Sequence, residues 1–294
     1  MADGNFLAER FREYRPRLRA VAYRMLGSLS ESDDALQEAW IRADAADTED
    51  VRNYDAWLIT IVARVCLNML RSRSQRKEDS LEIHLPDPVV CADDETNPET
   101  LALTADSVGL AMMIVLDTLA PAERFAFVLH DMFAVPFEEI AEVLEKTPAA
   151  ARQLASRARR RVEGRAPVPD PDLATQRAAV EAFFAAARNG DFEALVAVLH
   201  PDVVLRADGG RLRASQSVVI TGAETVASQA SLARSLQPFA RPVLVNGAPG
   251  VFVVRDGNPI ALMSFTVAGG KVVEIQVLND PERLEVIGKA LAAK

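Results

Sequence analysis

The stretch 149–165 holds six arginines and one acid, Glu163, for a local net charge of +5. Arginine at that density suits phosphate and guanine contacts rather than bond-breaking chemistry. At helical spacing, Ala151, Leu154, Ala155 and Ala158 fall on one side, and Arg152, Gln153, Ser156, Arg157, Arg160 and Arg161 fall on the other. Ile140, Ala141 and Leu144 give a short helix just before it. Lys146, Thr147 and Pro148 break that helix, and Thr147 is a natural cap for the next one, with Pro148 at its tolerated first position. A short helix, a tight turn and an arginine-bearing helix form the outline of a major-groove reader, and an ordinary solvated helix pair is the alternative. Glu145 stands where such turns often use glycine, and a left-handed glutamate costs on the order of 1 kcal/mol.

Other residue clusters suggest other chemistries. In SDDALQEAWIRA, Ala35, Leu36, Ala39 and Trp40 form an inward side, while Asp34, Gln37, Glu38 and Ile41 point outward. A strongly apolar helix from Trp57 to Leu70 turns basic at Arg71, Arg73, Arg76 and Lys77, which suits contact with a DNA backbone as well as simple solvation. His200, Asp202 and Asp208 are the local candidates for acid–base work, but none has an evident partner. Cys66 and Cys91, with the scattered His84, His130 and His200, make neither a metal-ligand cluster nor a disulfide framework, so no metal or cofactor is expected.

These groups have to be positioned by about two domains, the number suggested by 294 residues. The chain is 49% hydrophobic and carries a net charge of −9, with acids and bases segregated along it. No apolar run reaches the roughly 18–20 residues of a membrane span, and no signal peptide opens the sequence, so a cytoplasmic setting without membrane association is expected. Helices are predicted over 5–28 and from Ser30 or Ser32 onward, then after the acidic loop 45–54. Residues 78–106 carry nine acids and no lysine or arginine, and within them HLPDPVV is apolar and stiffened by proline. Two helices follow over 107–132, the first through Val115 and Leu119, the second opening at Pro121. A proline-rich tether over 166–173 leads into different patterning. Helices through Val180, Phe183 and Phe184, and through Leu195 and Leu199, precede a short strand, VVLRADGG. After a helical stretch at 222–236, three apolar segments are separated by hairpin turns, DGN and GGK among them. Two helices and then a curved antiparallel sheet make an α+β module with a cup-shaped interior.

The phrases AYRMLGS (22–28), DDALQEAWIR (33–42), DAWLITIVARVCLNMLRS (55–72), LDTLAPAERFAFVLHDMF (116–133) and FEEIAEVL with ARQLASRARRRV resemble, in that order, the extracytoplasmic-function (ECF) class of bacterial RNA polymerase sigma factors. The tail resembles the SnoaL-like, cone-shaped α+β domain that one actinobacterial subgroup of these factors carries. His84-Leu85-Pro86-Asp87-Pro88, Asp208-Gly209-Gly210 and Asn279-Asp280-Pro281-Glu282-Arg283-Leu284 are similar to that subgroup's motifs, with His84 in place of Trp and Arg283 in place of Lys.

The resemblance implies a multidomain chain: an all-α region over 1–77 that binds core polymerase and the −10 element, an acidic linker over 78–106, and a helix-turn-helix region over 107–165 that binds the −35 element. The tether 166–173 and a regulatory SnoaL-like domain over 174–294 complete it. It implies no catalytic residue, and an unidentified small molecule is a candidate partner of the tail. By the same resemblance, Asp33, Asp34, Gln37, Glu38 and Ile41 contact core polymerase. Trp57, Arg64, Asn68, Arg71 and Arg73 handle the −10 element, and Asn68 stands where the class more often has Asp. The resemblance gives the −35 element to the helix at 149–161, and helical phase then turns Arg152, Gln153, Ser156 and Arg157 toward bases and Arg159, Arg160 and Arg161 toward phosphates. Leu85, Pro86, Pro88, Asp208, Gly209, Asn279, Asp280 and Arg283 form a regulatory contact between linker and tail. Two rival readings remain, a ligand-responsive helix-turn-helix regulator and a SnoaL-type isomerase or cyclase with an accessory DNA-binding region.

Overall fold

A computed structural model describes residues 2–48, 51–75, 83–92 and 109–292. Arg76, Lys77, the ends of the acidic linker at 78–82 and 93–106, and part of the loop 45–54 lie outside the described residues. The chain forms two compact units, one from residues up to 75 and from 113–166, the other from 83–92, 109–112 and 167–292.

In the first unit, α1 (Ala2–Leu26), α2 (Leu29–Asp44) and α3 (Tyr54–Gln75) pack around Leu18, Met25, Leu36, Leu58 and Leu67. Ser28, rather than Ser30 or Ser32, caps α2, its hydroxyl accepting from the Glu31 N–H; Ser32 is buried inside the helix. Then come α4 (Leu110–Asp117), α5 (Pro121–Phe127), a π-helical turn (Val128–Met132), α6 (Phe137–Leu144) and α7 (Pro148–Glu163). Thr147 caps α7 by accepting from the Ala150 N–H at 3.2 Å, with Pro148 in the first turn. Glu145 adopts φ 55°, ψ 46°, the left-handed conformation that a turn of this length requires.

The second unit opens with β1 (Val90–Ala92). It continues through α8 (Leu173–Asn189), α9 (Phe192–Val198), β2 (Leu199–Asp208), β3 (Val218–Thr221) and α10 (Ala223–Leu232). Strands β4 (Ala240–Val245), β5 (Ala248–Arg255), β6 (Asn258–Ala268) and β7 (Lys271–Leu278) precede α11 (Pro281–Ala292). The seven strands run in the order β1-β4-β5-β6-β7-β2-β3. All pairs are antiparallel except β2 with β7, a departure from the all-antiparallel expectation. That parallel pair follows from chain direction, because β2 enters from α9 at the sheet end where β7 also begins. The turns Asn246-Gly247, Asp256-Gly257 and Gly269-Gly270 all have positive φ at both residues, which matches the twist of tight hairpins. His200 and Pro201 lie within β2, at an irregularity between Leu199 and Val204, rather than in a turn before it.

Alternation along the strands divides the sheet into two faces. Leu205, Ile275 and Phe265 are register neighbours and face α8–α10 with Phe183 and Leu195. Arg206, Gln276 and Ser264 share the opposite face, where Leu262, Leu278 and Phe252 pack with Leu284 of α11. The helix-side core centres on three rings: Phe265 lies 5.5 Å from Phe183, tilted at 59°, and 5.6 Å from Phe184, close to edge-on. Phe265→Ala is expected to destabilise this unit by about 3–5 kcal/mol, the usual cost of removing a buried ring. Urea unfolding of the full chain, followed by a signal from the sheet, measures that cost.

Candidate nucleic-acid interface and linker clamp

Ala151, Leu154, Ala155, Ala158 and Val162 bury one side of α7, which fixes the direction of its arginines. Four of them meet carboxylates inside the first unit. Arg157 Nε donates to Glu123 Oε1 at 3.0 Å and Arg161 Nη1 to Oε2 of the same residue at 2.9 Å. Glu123 is buried on α5, so two cations balance one carboxylate that has little water of its own. Arg159 grips Asp131 of the π turn through Nε at 2.6 Å and Nη2 at 3.3 Å, and this pairing holds its guanidinium above its ordinary pKa. Arg152 Nη2 reaches Glu138 at 3.1 Å, and its guanidinium lies over the Phe137 ring. Gln153 is exposed, and Arg160 reaches the Ser156 hydroxyl at 3.5 Å. Arg157 and Arg161, assigned separately to bases and to phosphates by helical phase, therefore share one partner here.

On α3, Arg64, Asn68 and Arg71 are exposed at i, i+4 and i+7, while Arg73 is ion-paired with Glu31 of α2. Trp57 and Arg64 line a cleft of about 430 Å³ with Arg52 and Asn53, and Glu139 and Glu142 of α6 form its other wall. On α2, Asp34, Gln37, Glu38 and Ile41 are exposed along one stripe, and Ile41 is 57% exposed despite its apolar side chain. Asp33 sits apart from that stripe: it takes two hydrogen bonds from Arg19 of α1, both 3.0 Å. A buried cation ties α1 to α5, because Arg124, 1% exposed, donates from Nε to the Arg24 carbonyl at 3.1 Å and from Nη1 to Asp117 at 2.8 Å.

In the second unit, residues 83–92 are bound along the tail module. Asp208 is 1% exposed, and its Oδ2 accepts from the Leu85 N–H at 2.8 Å and from Arg283 Nη1 at 2.9 Å. Arg283 Nη2 donates to the carbonyls of Leu85 and Pro86 at 2.8 and 3.0 Å and pairs with Asp87 at 3.0 Å. His84 Nδ1 lies 3.8 Å from the same Asp208 oxygen. The Gly210 N–H reaches Asp208 Oδ1 at 2.9 Å, and the Asn279 N–H reaches the Asp208 carbonyl at 2.7 Å. Gly210 has φ +60°, and a Cβ there would lie 2.1 Å from Asp280 Oδ2; one on Gly209 would lie 2.0 Å from the Arg213 carbonyl. Asp280 Oδ1 accepts from the Glu282 and Arg283 N–H groups and so opens α11 with Arg283 in place. Leu85, Pro86 and Pro88 cover Leu262, Ser264, Gln276 and Leu278 on the sheet.

Three anchors had no signal in the sequence reading. Asn246 Oδ1 accepts from the Val89 N–H at 3.0 Å while its own N–H donates back to the Val89 carbonyl at 2.8 Å. Residues 90–92 then pair with 243–245 as the outermost strand of the sheet. At the 166–173 tether, the Asp170 carboxylate accepts from the Gly269 and Gly270 N–H groups, both 2.8 Å, so this segment is fastened to the β6–β7 turn. The Gly-Gly turn was visible as a turn, but not as a binding point for distant chain.

The acid–base candidates do not come together. The Asp202 N–H donates to His200 Nδ1 at 3.1 Å in a local, exposed arrangement, whereas Asp208 is enclosed at the other end of β2. The six residue steps from Asp202 to Asp208 span about 20 Å in an extended strand. A second buried acid of the sheet, Glu274, pairs with Arg206 at 3.2 Å and accepts from Gln276 Nε2 at 2.9 Å, on the face away from α8–α10. Burial raises its pKa above the usual carboxylate range, with Arg206 opposing. Among the described residues no His, Cys, Asp and Glu cluster fits a metal ion, and no helix is long and apolar enough to cross a membrane.

Residues 10–76 match the family model for Sigma-70 region 2, and residues 111–162 match Sigma-70, region 4. The chain is 38% identical over 288 residues to the ECF RNA polymerase sigma factor SigJ of Mycobacterium tuberculosis, covering 93% of this chain and 91% of that one. It is 32% identical to a probable ECF RNA polymerase sigma factor, SigI, of the same species, with 97% of each covered. The crystal structure of the M. tuberculosis SigJ superposes with a TM-score of 0.78 at 34% identity, covering 95% of this chain and 98% of that one.

Asp208→Asn leaves Arg283 facing an amide. It is expected to cost about 3–5 kcal/mol, as when one member of a buried ion pair is removed, and to expose the Leu85 and Val89 amides. Hydrogen exchange of peptides spanning 83–92 reads the second effect directly.

Proposed function

The chain belongs to the extracytoplasmic-function family of RNA polymerase sigma factors, and from that premise we propose how its parts divide the work. The stripe Asp34, Gln37, Glu38 and Ile41 on α2 meets core polymerase, its acids serving as complementary charges that set specificity and association rate. Asp33 contributes indirectly, by fixing α2 against Arg19. The α3 face with Trp57, Arg64 and Asn68 receives an extruded base of the −10 element, and Arg71 tracks the neighbouring backbone. Flipping that base costs a few kcal/mol, which a preformed cleft offsets. Helix α7 reads the −35 element, with Gln153, Ser156 and Arg160 presented first and Arg152 and Arg159 joining as DNA phosphates compete with Glu138 and Asp131. A sigma factor of this kind works in the cytoplasm beside its polymerase.

The tail regulates this work without catalysing a reaction of its own. One observation carries that reading: in the segment connecting the two matched regions, 90–92 pair as a strand of the tail's own sheet and Leu85–Asp87 are clamped by Asp208 and Arg283. Whatever shifts the balance between docked and released segment therefore changes the chain path between the two DNA-binding regions, by the free-energy difference between those states. The separation of the exposed His200–Asp202 pair from the enclosed, ion-paired Asp208 argues against the isomerase or cyclase reading. The size of the helical region matching Sigma-70 region 2 argues against a stand-alone operator-binding regulator.

Two experiments test these assignments. Asp34→Lys with Glu38→Lys should abolish co-purification with core polymerase while the circular dichroism spectrum stays unchanged; undiminished capture would sink the α2 assignment. Changing Leu85, Pro86 and Pro88 together to Ser should alter transcription from a target promoter while the full-length variant keeps its helical spectrum and its co-purification with core polymerase. Unchanged transcription, together with a turnover lost in Asp202→Ala or Asp208→Ala, would make the tail an enzyme instead.

A further inference from the structure

An aromatic row leads away from the cleft at Trp57, and its far end belongs to another helix. Asn53 opens α3, its Oδ1 accepting from the Ala56 N–H at 3.2 Å, so Tyr54 and Trp57 stand three residues apart on one side of the first turn. Their rings meet edge-on, 6.2 Å between centroids. Phe6 of α1 meets Tyr54 in the same way at 5.4 Å. The Tyr14 hydroxyl donates to Asp55, which ties α1 to that first turn of α3.

Phe6 precedes the residues that match Sigma-70 region 2, 10–76, so family membership gives it no role. Core packing explains little of it either: its ring is 43% exposed, while α1 buries the adjacent Leu7. Arg10, one helical turn on, holds its guanidinium 5.4 Å over the Phe6 ring, and its Nη1 pairs with Glu13 at 3.0 Å. Both members of that ion pair are exposed, so water screens it and a phosphate readily takes the place of the carboxylate.

We infer that Phe6 and Arg10 form a further subsite for single-stranded DNA of the −10 element. The base of a nucleotide neighbouring the extruded one stacks on Phe6, and its phosphate draws Arg10 from Glu13. The inference rests on the assignment of the α3 face to that element. Extruding one base leaves its neighbours short of a stacking partner, and a ring beside the cleft replaces it whatever the sequence, because every base has a π face. A closed duplex keeps those faces inside its stack. The subsite therefore holds the opened strand better than the closed one, and only such a difference shifts the equilibrium toward opening. Continuity favours DNA over a protein partner here, since Tyr54 joins Phe6 to Trp57 of the −10 cleft, whereas the stripe given to polymerase lies on α2.

The test uses holoenzyme assembled from the full-length chain and core polymerase, on a target promoter carrying 2-aminopurine in the −10 element. Phe6→Leu keeps an apolar side chain and removes the π face. It should weaken the opened complex about 5- to 100-fold, the worth of one base–aromatic stack. Phe6→Trp should open the promoter at least as well as wild type. Arg10→Gln should weaken the opened complex and lower its salt dependence by about one phosphate contact. All three variants should capture core polymerase as wild type does. The inference is overturned if Phe6→Leu opens the promoter fully, or if Phe6→Trp is as impaired as Phe6→Leu. Loss of core capture in Phe6→Leu also overturns it, by making the row a polymerase contact. An unchanged salt dependence in Arg10→Gln overturns the part given to Arg10. Trp57→Ala separates the subsite from the reading beneath it. Full opening by that variant would sink the −10 assignment and the subsite with it, whereas a defect there and none in Phe6→Leu sinks the subsite alone.

Discussion

The buried carboxylate of Asp208 sets the terms for one end of the tail. With 1% of its surface exposed it has no water to solvate it, so its charge must be met by protein. Arg283, the Leu85 N–H and the Gly210 N–H supply the donors. Each imposes its own requirement. Gly210 must reach φ +60° beneath Asp280, and Gly209 must pass under the Arg213 carbonyl, where no side chain fits. Asn279 and Asp280 must turn the chain so that α11 begins with Arg283 aimed inward. The prolines at 86 and 88 hold Leu85 and Asp87 extended, which turns two successive carbonyls toward one guanidinium. Three separated stretches of sequence are thus fixed by the need to neutralise a single ion.

The arginines of α7 obey the same rule more loosely. Arg152, Arg157, Arg159 and Arg161 are largely exposed, and exposed ion pairs contribute about 0–1 kcal/mol each. Such partners hold the side chains in an ordered array yet yield readily to a phosphate, whose binding also releases condensed counterions. Glu123 is the exception, since stripping both arginines from it would strand a buried charge. Arg124 lies deeper still, fully enclosed and with part of its guanidinium lacking a hydrogen-bond acceptor among the described residues.

Much of this was legible in the sequence where the signal is local. The cap at Thr147, the left-handed Glu145, the apolar phase of α7 and the hairpin glycines follow from short-range sterics and periodicity. The clamp motifs were readable through family likeness. What local patterns could not reveal were pairings across long separations: Asn246 with Val89, Asp170 with the Gly269-Gly270 turn, and the parallel pairing of β2 with β7. Val90–Ala92 reads as linker because three residues are too few to display a strand period. The ion pairs of α7 were hidden for a related reason. Helical phase says which way an arginine points from its own axis, not which carboxylate stands opposite.

Fastening residues 83–92 also changes the chain as a polymer. Residues 76–109 separate the end of α3 from the start of α4, thirty-four in all, and could extend to about 115 Å at roughly 3.4 Å per residue. With the middle held, the same contour becomes arms of seven and seventeen residues, about 24 and 58 Å at full stretch, joined at a fixed post. A long loose tether offers a shallow distribution of end separations, whereas two short ones concentrate it and cut off its tail. Docking at 83–92 therefore converts one limit on reach, set by thirty-four residues, into two shorter limits measured from a common point on the tail's sheet.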